Sequence, residues 1–336
     1  MQVQTDQHND ALPLARQGDR HWEAYLAPRA GRNAAWVDDR LLVQRRWGDW
    51  QLGFTARNLA TVVASEQALS LAAQVAQARR PATDQAWQAD VHMRGFAGLG
   101  PTAGRRHALG DGWQAHWDVQ ALLLTRWRER DISGPVQFAV ATGQYSFNLA
   151  SQERDNRLKF PFQQPFAAHG TGLLAGGGLA WEGTKAFASL GLRDGGWLAW
   201  RGQPAQQAVL NTATQSTDAN GFLIYQPLVQ GQNSQGSAAR WMPWRGQVQA
   251  GIKLENGHQL AWQADTLPGG IVLPRLQWRL PAPQAGAWGW QADWRLHERS
   301  LGLGADWQGW QLRLASDGRG ASSRTRAFSL AYGTAY

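Results

Sequence analysis

Large apolar residues recur at every second position of this chain, with Gln, Arg, Asp, His or Gly between them. Trp288, Trp290, Ala292, Trp294 and Leu296 share one phase of such a run, and Gly289, Gln291, Asp293, Arg295 and His297 share the other. A period of two sends successive side chains to opposite faces of a pleated strand, so each run predicts a strand with one apolar and one wet face. The same alternation governs the runs beginning at Trp50, Trp87, Trp113, Trp244, Leu301 and Trp310. Counted along the chain, such runs predict eighteen strands, or sixteen if residues 65–80 are helical. The Ala- and Gln-rich composition of 65–80 fits a helix, whereas a strand there keeps the up-down parity of its surroundings and is the preferred reading.

Turn signals separate the runs. Gly48-Asp49 between Trp47 and Trp50 has the form of a two-residue hairpin turn, and Glu255-Asn256-Gly257-His258 is another. Residues 151–170, with Phe160-Pro161-Phe162 and Pro165-Phe166, form the longest aperiodic stretch and predict an external loop that can fold inward. Residues 1–19 are polar and aperiodic, which predicts a mobile leader or a lumen plug. Residues 20–336 form one β-domain.

Twenty tryptophans are far more than a compact core needs, and indole favours the level where hydrocarbon meets headgroups. No apolar run approaches the roughly 18 residues of a membrane helix. A closed barrel needs only about ten residues per strand, half of them facing water. The fold class expected is therefore all-β, a single closed antiparallel transmembrane barrel of 16–18 strands. Trp113, Trp127, Trp288, Trp294, Trp307, Trp310 and Tyr336 are its expected membrane-interface aromatics. Residues 1–7 lack a basic n-region and an apolar core, so this reading expects a secretory leader removed beforehand. Cysteine is absent, which removes disulfides, thiolate metal sites and cysteine nucleophiles.

At the C-terminus Phe328, Leu330, Tyr332, Thr334 and Tyr336 share one phase, and the last residue is aromatic. This ending resembles the β-signal of bacterial outer-membrane barrels; Thr334 departs from the large apolar residue usual at its position. The resemblance implies the outer membrane as location, its lipid as surroundings, and the barrel-assembly machinery as a partner through the last strand.

The net charge of +8 is carried by arginine far more than by the three lysines. Arginines are spread over the whole chain, with no more than two in succession, rather than gathered in one basic stretch, which speaks against nucleic acid. Arg57, Arg94, Arg126, Arg275, Arg279, Arg295 and Arg313 occupy the wet phase, as do Asp90, His92, His116 and Asp118, and all are expected pore-lining residues. Two roles stand open for the arginines: favouring anions, or bracing the wall against aspartates such as Asp90, Asp118, Asp293 and Asp306. His116 with Asp118, and His92 with Asp90, share a face as any residues two apart on a strand do, and no nucleophile completes them. No enzyme activity, metal or cofactor is expected. The leading expectation is a porin-like channel for hydrophilic, preferably anionic solutes. Its alternatives are an export conduit for an anionic exopolysaccharide or secretion assembly and a soluble Trp-rich carbohydrate-binding protein; a periplasmic partner would favour export, and self-association into trimers would favour diffusion.

Overall fold

The computed structural model describes residues 1–217, 223–225, 227–284 and 286–333. The first strands are β1 (Gln2–Asn9), β2 (Arg32–Trp47), β3 (Trp50–Ser65), β4 (Gln85–Gly110), β5 (Trp113–Ala139), β6 (Gln144–Asp155), β7 (Gly170–Glu182) and β8 (Ala186–Asn211). Then come β9 (Gln215–Thr217), β10 (Leu223–Tyr225), β11 (Val229–Met242), β12 (Arg245–Lys253), β13 (Gln259–Leu267) and β14 (Ile271–Leu280). β15 (Gly289–Arg295), β16 (Ser300–Trp307), β17 (Trp310–Ser316) and β18 (Thr325–Tyr332) complete the wall, and one helix, α1 (Glu66–Ala76), joins β3 to β4.

Every pairing is antiparallel, and β1 bonds both β18 and β2, which closes the sheet. β6 and β7 share one wall position between β5 and β8, and β11 and β12 run as one line along β8. The result is a closed barrel of 14 strands, with the β9–β10 hairpin outside it. The expected count of 16–18 was too high because residues 156–169 and Pro243-Trp244 each divide one wall position into two sequence runs.

Three other expectations are corrected. Residues 2–9 of the expected leader form β1 rather than a mobile segment. Their own pattern is polar, and the strand is held by two complete ladders, which satisfy its backbone groups whatever its side chains. Residues 66–76 are helical, not a strand. Ser65 caps α1 by accepting from the Ala68 amide at 3.1 Å, and Glu66 lies in the first turn, where the helix dipole favours an anion. Leu71 of α1 packs on Trp87, Val136 and Phe138, which keeps that outward patch covered. Ser65→Ala should cost about 1 kcal/mol, read as faster amide exchange confined to α1. The stretch 151–170 also divides: Ser151–Asp155 belongs to β6 and only 156–169 is irregular.

Most turns at one end are brief, such as 48–49, 111–112 and 308–309; this is the turn end. The opposite, loop end carries residues 10–31, α1, the β9–β10 hairpin and residues 317–324. β4, β5 and β8, 26, 27 and 26 residues long, extend beyond the shorter strands there, with β6 and β11 paired alongside them.

Candidate functional site: the lumen

Register fixes which phase faces out. On β3 Trp50, Leu52 and Phe54 are exposed while Thr55, Arg57 and Leu59 are buried. Paired positions carry the same phase round the ring, so that Leu301, Leu303, Leu312 and Leu314 point outward and Asp293, Arg295 and Arg313 inward. Leu303 is 70% exposed although it stands mid-strand. At the turn end the outward face ends in aromatics, with Trp47, Trp50 and Trp113 on one side and Trp288, Trp307, Trp310 and Tyr332 on the other. Toward the loop end it turns polar: Asp39 accepts from Thr5 and Asn58, and Arg126 pairs with Asp155 at 2.8 Å.

The inward face has three levels. Nearest the turn end it is polar and open, with recesses of about 730 and 500 Å³. Gln44, Arg106 and Gln311 line the first recess, and His116, Gln249, Lys253 and Arg279 the second.

Above these recesses lies a belt of ion pairs that crosses the lumen. Arg245 of β12 donates to Asp38 of β2 at 2.8 Å, although the two strands stand on opposite sides of the ring. Arg57 of β3 grips Asp194 of β8 with both terminal nitrogens, at 2.7 and 3.2 Å. Arg245 also reaches Asp194 at 3.2 Å, and none of the four is more than 8% exposed. On the other side of this bridge Asp293 binds Arg313 at 2.6 Å and lies near Arg275 and Arg295, while Arg295 reaches Asp6 at 2.8 Å. Gly302 leaves room for this cluster, since a Cβ there would fall 2.2 Å from Asp293 Oδ1. Gly302→Ala should therefore displace Asp293 and destabilise the barrel by about 2 kcal/mol, seen as a lower unfolding midpoint.

The third level is apolar. Leu59, Phe96, Leu122, Leu124, Trp127, Leu174, Leu198 and Trp200 form one buried cluster inside the wall, and Phe166 and Ala167 of the 156–169 segment pack against it. Trp200 Nε1 donates to the Ala167 carbonyl at 2.9 Å, which fixes that segment to the cluster.

Of the expected pore-lining residues, Arg57, Arg275, Arg295 and Arg313 lie in the belt, and Asp118, His116 and Arg279 face inward below or beside it. Arg94, His92 and Asp90 lie on the inward phase of the projecting part of β4, where Asp131 binds both Arg94 and His92 at 2.6 Å. Arg126 does not line the lumen, and Trp127 is not an interface aromatic: Trp127 is 1% exposed and faces in. A register shift beside Ala97/Gly98 exchanges the two phases of β5 at this point, which uniform alternation could not foresee. Trp113, Trp288, Trp307 and Trp310 lie exposed on the outer face at the turn-end rim, Trp294 lies outward and higher, and Tyr336 falls outside the described residues.

All seven expected arginines are in ion pairs, with partners that include Asp293 and Asp306. Bracing is thus their visible role. Asp38, Asp194 and Arg245 were not among the expected residues. Asp194-Gly195-Gly196 reads as a hairpin turn, yet these residues form a bulge within β8, with Asp194 at φ 62° and a register shift beside Ala175/Gly177. Asp38 was legible, since it shares the inward phase of β2 with Trp36 and Arg40. The chain matches no family model and no curated protein.

Proposed function

We propose that this chain is an outer-membrane β-barrel conduit, closed at rest, that exports a hydrophilic, anionic cargo loaded from its turn end. The carrying observation is the pair of bridges Arg245–Asp38 and Arg57–Asp194, which join facing walls in a buried layer above open polar recesses. A belt of this kind blocks free diffusion, so a gated route fits better than an always-open porin. Direction follows from the ends: bacterial barrels keep short turns in the periplasm and longer loops outside, and the open recesses adjoin the short turns.

Support for the membrane comes from exposed leucines that would be unfavourable in water on so many adjoining strands, and from the aromatic rim at the turn end. Among the described residues no helix is long and apolar enough to cross a membrane. Anion preference rests on Arg106, Lys253 and Arg279 around the recesses; Glu182 offsets Lys253 at 2.6 Å. A periplasmic partner would dock on the turn-end rim and bias the belt open. No catalytic step belongs to this reading.

Planar-bilayer recording under a salt gradient tests it. The expected record is silence broken by rare, anion-preferring openings. A steady large conductance would instead support the diffusion porin.

A further inference from the structure

At the loop end, His8 and Asp10 at the close of β1 meet His297 of the 296–299 turn, and their ligand-type atoms all lie within 4.8 Å of one another. His8 Nε2 is 2.8 Å, and His297 Nε2 3.3 Å, from one oxygen, Asp10 Oδ1. His8 and Asp10 are both 1% exposed, the His297 side chain is 23% exposed, and the Trp36 ring lies 4.4 Å from that of His8. Thr325 Oγ1, 2.7 Å from His8 Nδ1, engages the other ring nitrogen and turns Nε2 to the cluster. The Ala34 amide donates to Asp10 Oδ2 at 2.8 Å. Arg29 Nη1 lies 2.7 Å from Oδ1 and also donates to the His297 carbonyl.

His297 Nε2 is the odd member. It is shielded from solvent and faces the carboxylate at 3.3 Å without an aligned hydrogen bond. We infer that His8 Nε2, His297 Nε2 and Asp10 Oδ1 form a binding site for one divalent transition-metal ion of the zinc class, with a fourth position open.

Donors bonded to a tetrahedral zinc ion at 2.0–2.2 Å stand about 3.3 Å apart, near the 2.8 and 3.3 Å that separate the two histidine nitrogens from Asp10 Oδ1. Two imidazoles and one carboxylate suit zinc better than magnesium or calcium, which prefer oxygen alone. Thr325 and Ala34 supply the outer contacts that orient ligating His and Asp side chains. Arg29 does not bar the ion, because an ionised carboxylate offers about four lone-pair sites, and Oδ1 can serve both. Burial alone would raise the Asp10 carboxyl, but contacts with His297, His8 and the Ala34 amide outweigh it and hold it well below the usual carboxylate range. Asp10 therefore stays anionic at neutral pH. A bound ion would displace any proton on the two imidazole nitrogens and tie β1 and residues 10–31 to the 296–299 turn. The inference stands apart from the conduit reading, since it needs neither a pore nor a cargo.

The test is titration of the chelator-stripped full chain in detergent with Co²⁺, followed by Zn²⁺ competition. One Co²⁺ per chain, with the visible absorption of tetrahedral cobalt and displacement by Zn²⁺, is the expected result. His297→Gln changes a turn residue outside the strand ladders and should lower affinity at least about tenfold while the barrel still folds. Failure of the folded wild type to take up a stoichiometric ion at micromolar concentrations would overturn the inference. Unchanged affinity in H297Q would do so equally.

Discussion

Asp194→Asn should turn a silent barrel into a conducting one. The substitution keeps the shape of the side chain and removes the charge that faces both Arg57 and Arg245. Two guanidiniums then share a buried layer with Asp38 as their nearest remaining counter-charge. Removing one partner of a buried pair costs about 3–5 kcal/mol, and the strain is relieved when the arginines separate and admit water. Open probability in planar bilayers should rise at least tenfold, a bias of about 1.4 kcal/mol. The double variant Arg57→Gln/Asp194→Asn restores charge balance and leaves Asp38–Arg245 intact, so it should return toward silence. An equally leaky double variant would mean that the belt is a brace whose damage merely loosens the wall. Glu182→Gln, at the turn-end rim, should leave the resting current unchanged.

Leu303→Arg has the second large effect. In water, a residue 70% exposed on a strand surface tolerates such a change within about 0.5 kcal/mol. In a bilayer the same position would face hydrocarbon, where arginine on the outer face of a barrel costs about 2–4 kcal/mol near the midplane. Denaturant unfolding from liposomes should show that loss for Leu303→Arg, and less than about 0.5 kcal/mol for Gln311→Lys, which points into the open recess. Equal, small effects at the two positions would place the Leu303 face in water and sink the membrane reading.

Fold class was legible in the sequence because the period-two pattern survives in strand after strand: Trp50 to Phe54, Trp288 to Trp294 and Leu301 to Trp307 each face as their phase predicts. What escaped was set by neighbours rather than by the local pattern. β1 carries almost no apolar signal and is defined by the two strands that flank it. Trp127 and Arg126 exchange faces across one register shift, which a residue two places away cannot report. The belt was half legible: Arg57 and Arg295 stand in the inward phase, but their partners Asp194 and Asp6 came from a stretch resembling a turn and a stretch resembling a leader. Alternation could not predict the apolar level either, since Leu122, Leu124 and Leu198 interrupt the polar phase where facing walls meet. An open pore was expected because strand number alone sets a barrel's width, whereas here side chains from opposite walls fill it.

Because the chain has no cysteine, site-directed labelling can show whether the tryptophan- and leucine-bearing face touches lipid while the opposite face is enclosed. Single cysteines placed in turn at positions 301 to 306 of β16, nitroxide-labelled in liposomes, report access to oxygen, which concentrates in hydrocarbon, and to a water-soluble nickel chelate. Alternation is expected: oxygen access high and nickel access low at 301, 303 and 305, with oxygen access falling at 302, 304 and 306. Nickel access at 303 matching that of an exposed loop site such as Gly318 would contradict it.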